Sequence, residues 1–224
     1  MSRIRFVLLM ILMASCSYVM HAQEDELMLR LRTGNNATFG GFAALSLETE
    51  QTLEDNFQIS GGVQYNTVGR TAFEVRPAYS IDYSWGSISA EALLSYRHLA
   101  SVNSFAAGAG ADVSGRWVGL KFGYYYHLYG QGLEMLKEPF NIYYELRVNL
   151  LPMLESWDLQ IAITNNERFE LERHYQPTFL AECSYALNDS FGLSMEMGCK
   201  PAGMFNLTAD YYQSFLSLGL CYRW

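Results

Sequence analysis

Beyond residue 22 the chain carries three histidines, His98, His127 and His174, and three cysteines, Cys183, Cys199 and Cys221. A histidine held against a carboxylate can activate a water or a serine. His127 and His174, with Glu145, Glu172 and Glu74 as carboxylate partners, are therefore the residues to weigh for hydrolysis. Neither histidine has a serine in tight spacing. Metal chemistry has less support, since there is no Cys-x-x-Cys pair and no His-x-x-x-His, and Glu172-Arg-His174 offers two ligands at a spacing common by chance. We expect no metal and no cofactor. An odd cysteine count leaves at least one thiol unpaired. With a turn at Asn188-Asp189, Cys183 falls opposite a residue near Ser194 and not opposite Cys199, so free thiols are expected.

The elements that would hold these groups are written in steps of two. Gln213-Ser-Phe-Leu-Ser-Leu-Gly-Leu-Cys-Tyr-Arg-Trp224 alternates small or polar with apolar residues and ends on an aromatic. A strand of this kind gives one face to an apolar environment and the other to a polar one. The same alternation runs through Leu27–Arg32, Phe39–Thr49, Phe57–Tyr65, Phe73–Trp85, Ile88–Leu99, Phe105–Val113, Trp117–Tyr129, Phe140–Leu150, Trp157–Thr164, His174–Ala186, Phe191–Cys199 and Tyr212–Trp224. That is about twelve strands, with ten as the alternative, and no helical domain. Expected turns at one end are Gln51–Asn56, Gly86-Ser87, Ser114-Gly115, Pro152–Ser156 and Asn188-Asp189, while the other end includes the longer Gly130–Pro139, Asn165–Arg173 and Lys200–Tyr211. Pro77 and Pro177 sit inside expected strands, where a missing N–H must fall at a bulge or a strand end.

Half of the residues are hydrophobic and 15% aromatic, yet beyond the amino terminus no apolar run reaches the length of a membrane helix. A transmembrane antiparallel up-and-down β-barrel reconciles the two, because its strands hide their hydrophobicity from window averages. The polar faces carry many small residues, among them Ser60, Gly62, Gly108, Gly110, Gly123, Gly198 and Gly219. A solvent-facing exterior would carry more Lys and Glu, so the polar face is read as a crowded lumen. A secreted ligand-binding barrel with its apolar face inward is the soluble alternative.

The inward set then contains Glu48, Glu74, Asp82, Glu91, Asp112, Glu145, Asp158, Glu182 and Glu196, facing Arg30, Arg32, Arg76, Arg97, Lys121, Arg147, Lys200 and Arg223. Such a balance predicts interlocking salt bridges rather than a single-sign filter. Trp117, Tyr125, Tyr129, Tyr143, Leu180 and Phe215 share that face, as packing or as a path that stacks on a solute. Trp85, Trp117, Trp157, Phe191, Tyr222 and Trp224 fall beside the short turns and form an aromatic girdle. The formal charge of −8 disfavours nucleic acid and a basic phosphate-binding pore.

Residues 1–22 carry Arg3 and Arg5, an apolar run from Phe6 to Ala14 and a small-residue region ending at His21-Ala22, the pattern of a secretory signal peptide. Cleavage after Ala22 starts the barrel domain, 23–224, at Gln23. The competing reading lipidates Cys16 after Met13-Ala14-Ser15. With this signal, the dyads and Leu-Gly-Leu-Cys-Tyr-Arg-Trp224, the chain resembles the small outer-membrane β-barrels of Gram-negative bacteria, and the Ala22-Gln23 junction resembles exported proteins of the Bacteroidetes. The resemblance implies periplasmic turns and extracellular loops. It also implies outer-membrane lipid and lipopolysaccharide as surroundings, and engagement of the barrel-assembly machinery through the carboxyl-terminal strand. Glu134, Glu138, Glu167, Glu170 and Glu172 would then form an acidic rim able to meet divalent ions. The leading expectation is a non-enzymatic barrel, either a narrow passive channel for small polar solutes or a structural surface protein. The hydrolase with a rim His and carboxylate is the alternative.

Overall fold

The computed structural model describes residues 25–37, 40–54, 56–99, 102–129, 140–154, 156–166, 169, 177–202 and 210–224. They form twelve strands: β1 (Glu26–Asn36), β2 (Gly40–Glu54), β3 (Phe57–Asn66), β4 (Arg70–Tyr83), β5 (Gly86–Leu99), β6 (Val102–Gly115), β7 (Val118–Tyr129), β8 (Phe140–Asn149), β9 (Trp157–Thr164), β10 (Thr178–Ala186), β11 (Phe191–Ala202) and β12 (Asp210–Arg223). Each pairs antiparallel with its sequence neighbours, and β1 pairs with β12 to close the barrel. Closure is completed beyond the last strand residue, where the backbones of Asp25 and Trp224 exchange hydrogen bonds. Thus the terminal strand meets the first along its full length, from Glu26↔Arg223 to Asn36↔Gln213.

Around the ring the pairings accumulate a stagger of about 14 residues, which for twelve strands implies a tilt of about 40° and a backbone radius of about 12 Å. A barrel of that width cannot be filled by side chains from its own wall alone.

Burial follows the dyads. On β1, Leu27, Leu29 and Leu31 are exposed while Arg32 and Asn36 are buried; on β11, Leu193, Met195 and Met197 are exposed while Ser194, Glu196 and Lys200 are buried. Charged residues are inside and apolar ones outside, which overturns the soluble alternative. The exposed set runs around the whole wall, from Leu29 and Leu45 through Leu94, Leu120 and Ile142 to Ile161, Met195 and Leu218. A continuous apolar exterior of this extent is a lipid-facing surface.

The girdle is visible as ring contacts. Tyr83 stacks on Trp85 at 5.5 Å, Trp157 meets Tyr185 at 4.6 Å, and Tyr222 lies between Phe191 at 5.1 Å and Trp224 at 5.5 Å. Trp117 belongs to this ring only: it is half exposed in the turn after β6, so its expected place on the lumen face is corrected.

Several boundaries also move. The tight turns fall at Ser84-Trp85 and Arg116-Trp117, two residues from the expected Gly86-Ser87 and Ser114-Gly115. Gly86 instead opens β5 at φ 153°, opposite Gly115, where a Cβ would lie 2.0 Å from the Ser114 carbonyl oxygen. Only glycine tolerates that backbone and that approach. Pro77 makes no bulge: it pairs with Ile59 in β3, and on the β5 side pairing simply lapses at Arg76 and Pro77 and resumes in the same register. Pro177 precedes the first residue of β10, at the strand end where a missing donor is harmless. Among the described residues the register shifts at Lys200/Pro201 in β11 and at Thr52/Glu54 in β2, and β12 begins earlier than expected, at Asp210. The expected start of a strand at His174 lies outside the described residues.

Candidate functional site

Two ion-pair networks line the lumen. The first spans β4 to β8, and its charges alternate in sign. Glu74 Oε1 accepts from Arg76 Nε at 2.7 Å, and Arg76 approaches Glu91 at 3.8 Å. Glu91 holds Lys121 at 3.0 Å, Lys121 reaches Asp112 at 3.8 Å, and Asp112 accepts from Arg147 at 2.6 Å, which also binds Glu145 at 3.1 Å. Neutral groups complete it: Tyr143 Oη donates to Glu91 at 2.9 Å, and Arg147 donates to Ser114 Oγ at 2.7 Å.

A second network joins β1, β2, β10 and β11. Arg30 pairs with Glu196 and lies 3.5 Å from Glu182 and 3.9 Å from Glu48, while Arg32 donates to the same Glu196 at 3.2 Å. The Arg32 guanidinium also stands over the Phe215 ring, 4.1 Å from its centroid. These pairs lie between adjacent or nearly adjacent strands, where the desolvation of each charge is offset by its neighbour.

Glycines make the room. A Cβ on Gly123 would lie 2.4 Å from the Tyr143 ring, and one on Gly198 would lie 2.3 Å from Phe215. Tyr143 and Tyr125 are fully buried and stacked at 6.1 Å, in one cluster with Leu93 and Ala106. Aromatics on the lumen face therefore pack into the wall, as the first of the two expected roles has it.

Sequence reasoning missed the segment after β9. Asn166 is buried, and its Oδ1 accepts from Arg76 Nη2 on β4 at 3.1 Å. Phe169 is 2% exposed, and its ring stands 3.0 Å from where a Cβ of Gly62 on β3 would lie. In a twelve-stranded ring β3 lies opposite β9, so Asn166 and Phe169 reach across the lumen. Phe169 holds φ 64°, an uncommon backbone state for a bulky residue and one the packing around it must enforce. The one signal in the sequence is a lone phenylalanine in the polar stretch Asn165–Glu170.

Other expected site residues are placed as follows. Arg97 is buried on the lumen face of β5; Asp82 is exposed at the turn end of β4; Asp158 faces inward on β9 with Gln160 donating to it at 2.6 Å; Arg223 binds Glu26 at 3.0 Å at the mouth. The three described cysteines are free, with Cys221 on the lumen side and Cys199 exposed on the lipid side. His127 is buried and packs edge-on against Tyr125 at 4.9 Å. It does not share a height with Glu145, which corrects the proposed dyad: Lys121 is the residue paired with Glu145, and that carboxylate is taken by Arg147. His174, Glu172, Glu134, Glu138, Glu167 and Glu170 lie outside the described residues, and the side chain of Tyr129 is likewise not described. Among the described residues no group of three or more His, Cys, Asp or Glu is arranged to hold a metal ion.

Between β8 and β1, at the turn end, the lumen widens into a cavity of about 270 Å³, with Glu26, Asp158, Ser184, Ser194, Cys221 and Arg223 in its wall.

Closed antiparallel wall, apolar exterior, aromatic girdle and charged lumen together define a twelve-stranded outer-membrane-type β-barrel. No family model and no curated protein matches the chain. Solved structures do, and they include outer-membrane porins. The KdgM porin in complex with disordered oligogalacturonate matches with a TM-score of 0.60 at 12% identity over 88% of this chain and 98% of that one. The NanC porin matches at 0.57 and 10% over 88% and 98%. Outer membrane phospholipase A from Escherichia coli matches at 0.53 and 9% over 91% of both chains. At these identities the likeness is one of fold, and a fold shared by porins and an enzyme does not choose between them.

Proposed function

We propose that this protein is a narrow passive channel for small polar solutes in the outer membrane of a Gram-negative cell, exported by its signal peptide and inserted through its carboxyl-terminal strand. The observation that carries the reading is the crossing segment, with Asn166 bound to Arg76 and Phe169 seated at Gly62. A purely structural barrel has no need of an element that narrows a lumen otherwise lined by spent ion pairs. The likeness to the KdgM and NanC porins supports a path for hydrophilic solutes. Lipid and lipopolysaccharide surround the apolar wall.

Planar-bilayer recording tests this. Small steady steps are expected from the native chain. Larger steps are expected from Phe169→Ala combined with Arg76→Ala, which removes the ring at Gly62 and the guanidinium that holds Asn166. Silence from both proteins, with esterase activity lost in His127→Ala, would replace the channel with a hydrolase.

A further inference from the structure

The charges of the lumen are spent on one another at the waist, whereas those of the turn-end cavity are only partly paired. Its floor is a hydrogen-bonded row across four strands, in which Asp158 pairs with Ser184, Ser184 with Ser194, and Ser194 with Gly219. Small residues keep that floor low. A Cβ on Gly219 would come within 2.3 Å of Ser194 Oγ, so the serine hydroxyl uses the space the glycine leaves.

Charge in this cavity is one-sided. Arg223 is held by Glu26, whereas Asp158 has Gln160 on Oδ2 only, and its buried Oδ1 makes no hydrogen bond. A carboxylate oxygen out of water and without a donor is an unfavourable arrangement that a ligand donor relieves. Asp158 is itself part of the cavity wall, where a solute's donor can meet its carboxylate. Ser184 and Ser194 add hydroxyls beside it. The volume suits a solute of a few heavy atoms.

We infer that the turn-end cavity is a binding subsite for a small organic cation, an ammonium-bearing solute whose N–H groups are received by Asp158 with the Ser184 and Ser194 hydroxyls. The subsite lies on the path of the proposed channel, yet its occupancy does not require an open waist. The acidic balance of the whole chain, −8, adds a long-range pull on cations.

Ligand-observed NMR on the detergent-solubilised full barrel tests it, with propane-1,3-diammonium as probe and propane-1,3-diol as its uncharged match. The diammonium is expected to bind about tenfold or more tightly than the diol, as a charge-assisted hydrogen bond implies. Asp158→Asn should abolish that preference, and Asp82→Asn, at the mouth on β4, should keep it. Ser184→Leu fills the floor and should weaken the diammonium similarly; it serves where Asp158→Asn yields no heat-modifiable barrel. Equal binding of the two probes, no binding of either, or an unaltered preference in Asp158→Asn overturns the subsite. None of those results alters the conductance experiment, so the channel reading fails or stands separately.

Discussion

Replacing Gly198 with alanine should destabilise the barrel because Phe215 occupies the space the new methyl needs. A Cβ at Gly198 would sit 2.3 Å from two ring atoms of Phe215 and 3.0 Å from Leu180 Cδ2, and each of these belongs to a side chain, not the backbone. The ring cannot slide away freely. Phe215 is buried, and the Arg32 guanidinium stands over its ring at 4.1 Å, tied in turn to Glu196 at 3.2 Å. Overpacking of this kind costs about 1–3 kcal/mol, and displacing the ring from Arg32 adds about 0.5–2 kcal/mol. We therefore expect Gly198→Ala to cost about 2–4 kcal/mol.

The decisive measurement is a double-mutant cycle. Denaturant unfolding in lipid vesicles, followed by tryptophan fluorescence, gives the four stabilities. In the Phe215→Ala background the methyl has room, so Gly198→Ala should be close to neutral, with a coupling of about 2 kcal/mol or more. A cost for Gly198→Ala that is the same in both backgrounds would refute the reasoning, because the penalty would then belong to the strand and not to the ring.

Two further expectations follow from strand parity. Leu218→Arg on the lipid face of β12 should lower stability by about 2–4 kcal/mol, whereas the neighbouring Ser217→Arg, on the lumen side, should be marked by a smaller loss than Leu218→Arg in the same unfolding assay. Cys199, exposed on the lipid side, should react with a lipid-soluble maleimide and resist a charged one in membranes; because the less exposed Cys183 pairs with Met195 on the same face, labelling should fall in Cys199→Ser and vanish only when Cys183 is replaced as well.

Most of the wall was legible because a β-strand repeats every two residues. Once Trp224, Tyr222, Leu220 and Leu218 are placed toward lipid, pairing carries the same parity through every antiparallel neighbour, and Arg30, Glu74, Glu91 and Arg147 must point inward. Turn positions were less legible, since Gly86 and Gly115 signal a tight backbone without saying whether it is a turn or a close approach between paired strands. The structure uses them for the second, and leaves Trp85 and Trp117 at the tips, where an amphipathic ring suits the interface. The crossing segment was illegible for another reason. Asn166 and Phe169 follow no period, and their partners Arg76 and Gly62 are distant in sequence and across the ring, so nothing local announces the contact.

Width explains why such a segment exists at all. A wall about 12 Å in radius leaves a span of about 24 Å, and an arginine extends only about 7 Å from its backbone. Side chains from opposite strands therefore cannot meet, and ion pairs can form only along the wall, as the two networks do: Glu74 to Glu145 across β4–β8, and Arg30 with Arg32 among β1, β2, β10 and β11. Between them a gap of about 10 Å remains at the waist, wider than water needs. Asn166 and Phe169, which follow β9, reach into that gap toward Arg76 and Gly62. The free width of the lumen at this height is thus set by Asn166 and Phe169 and by the Arg76 and Gly62 positions that receive them.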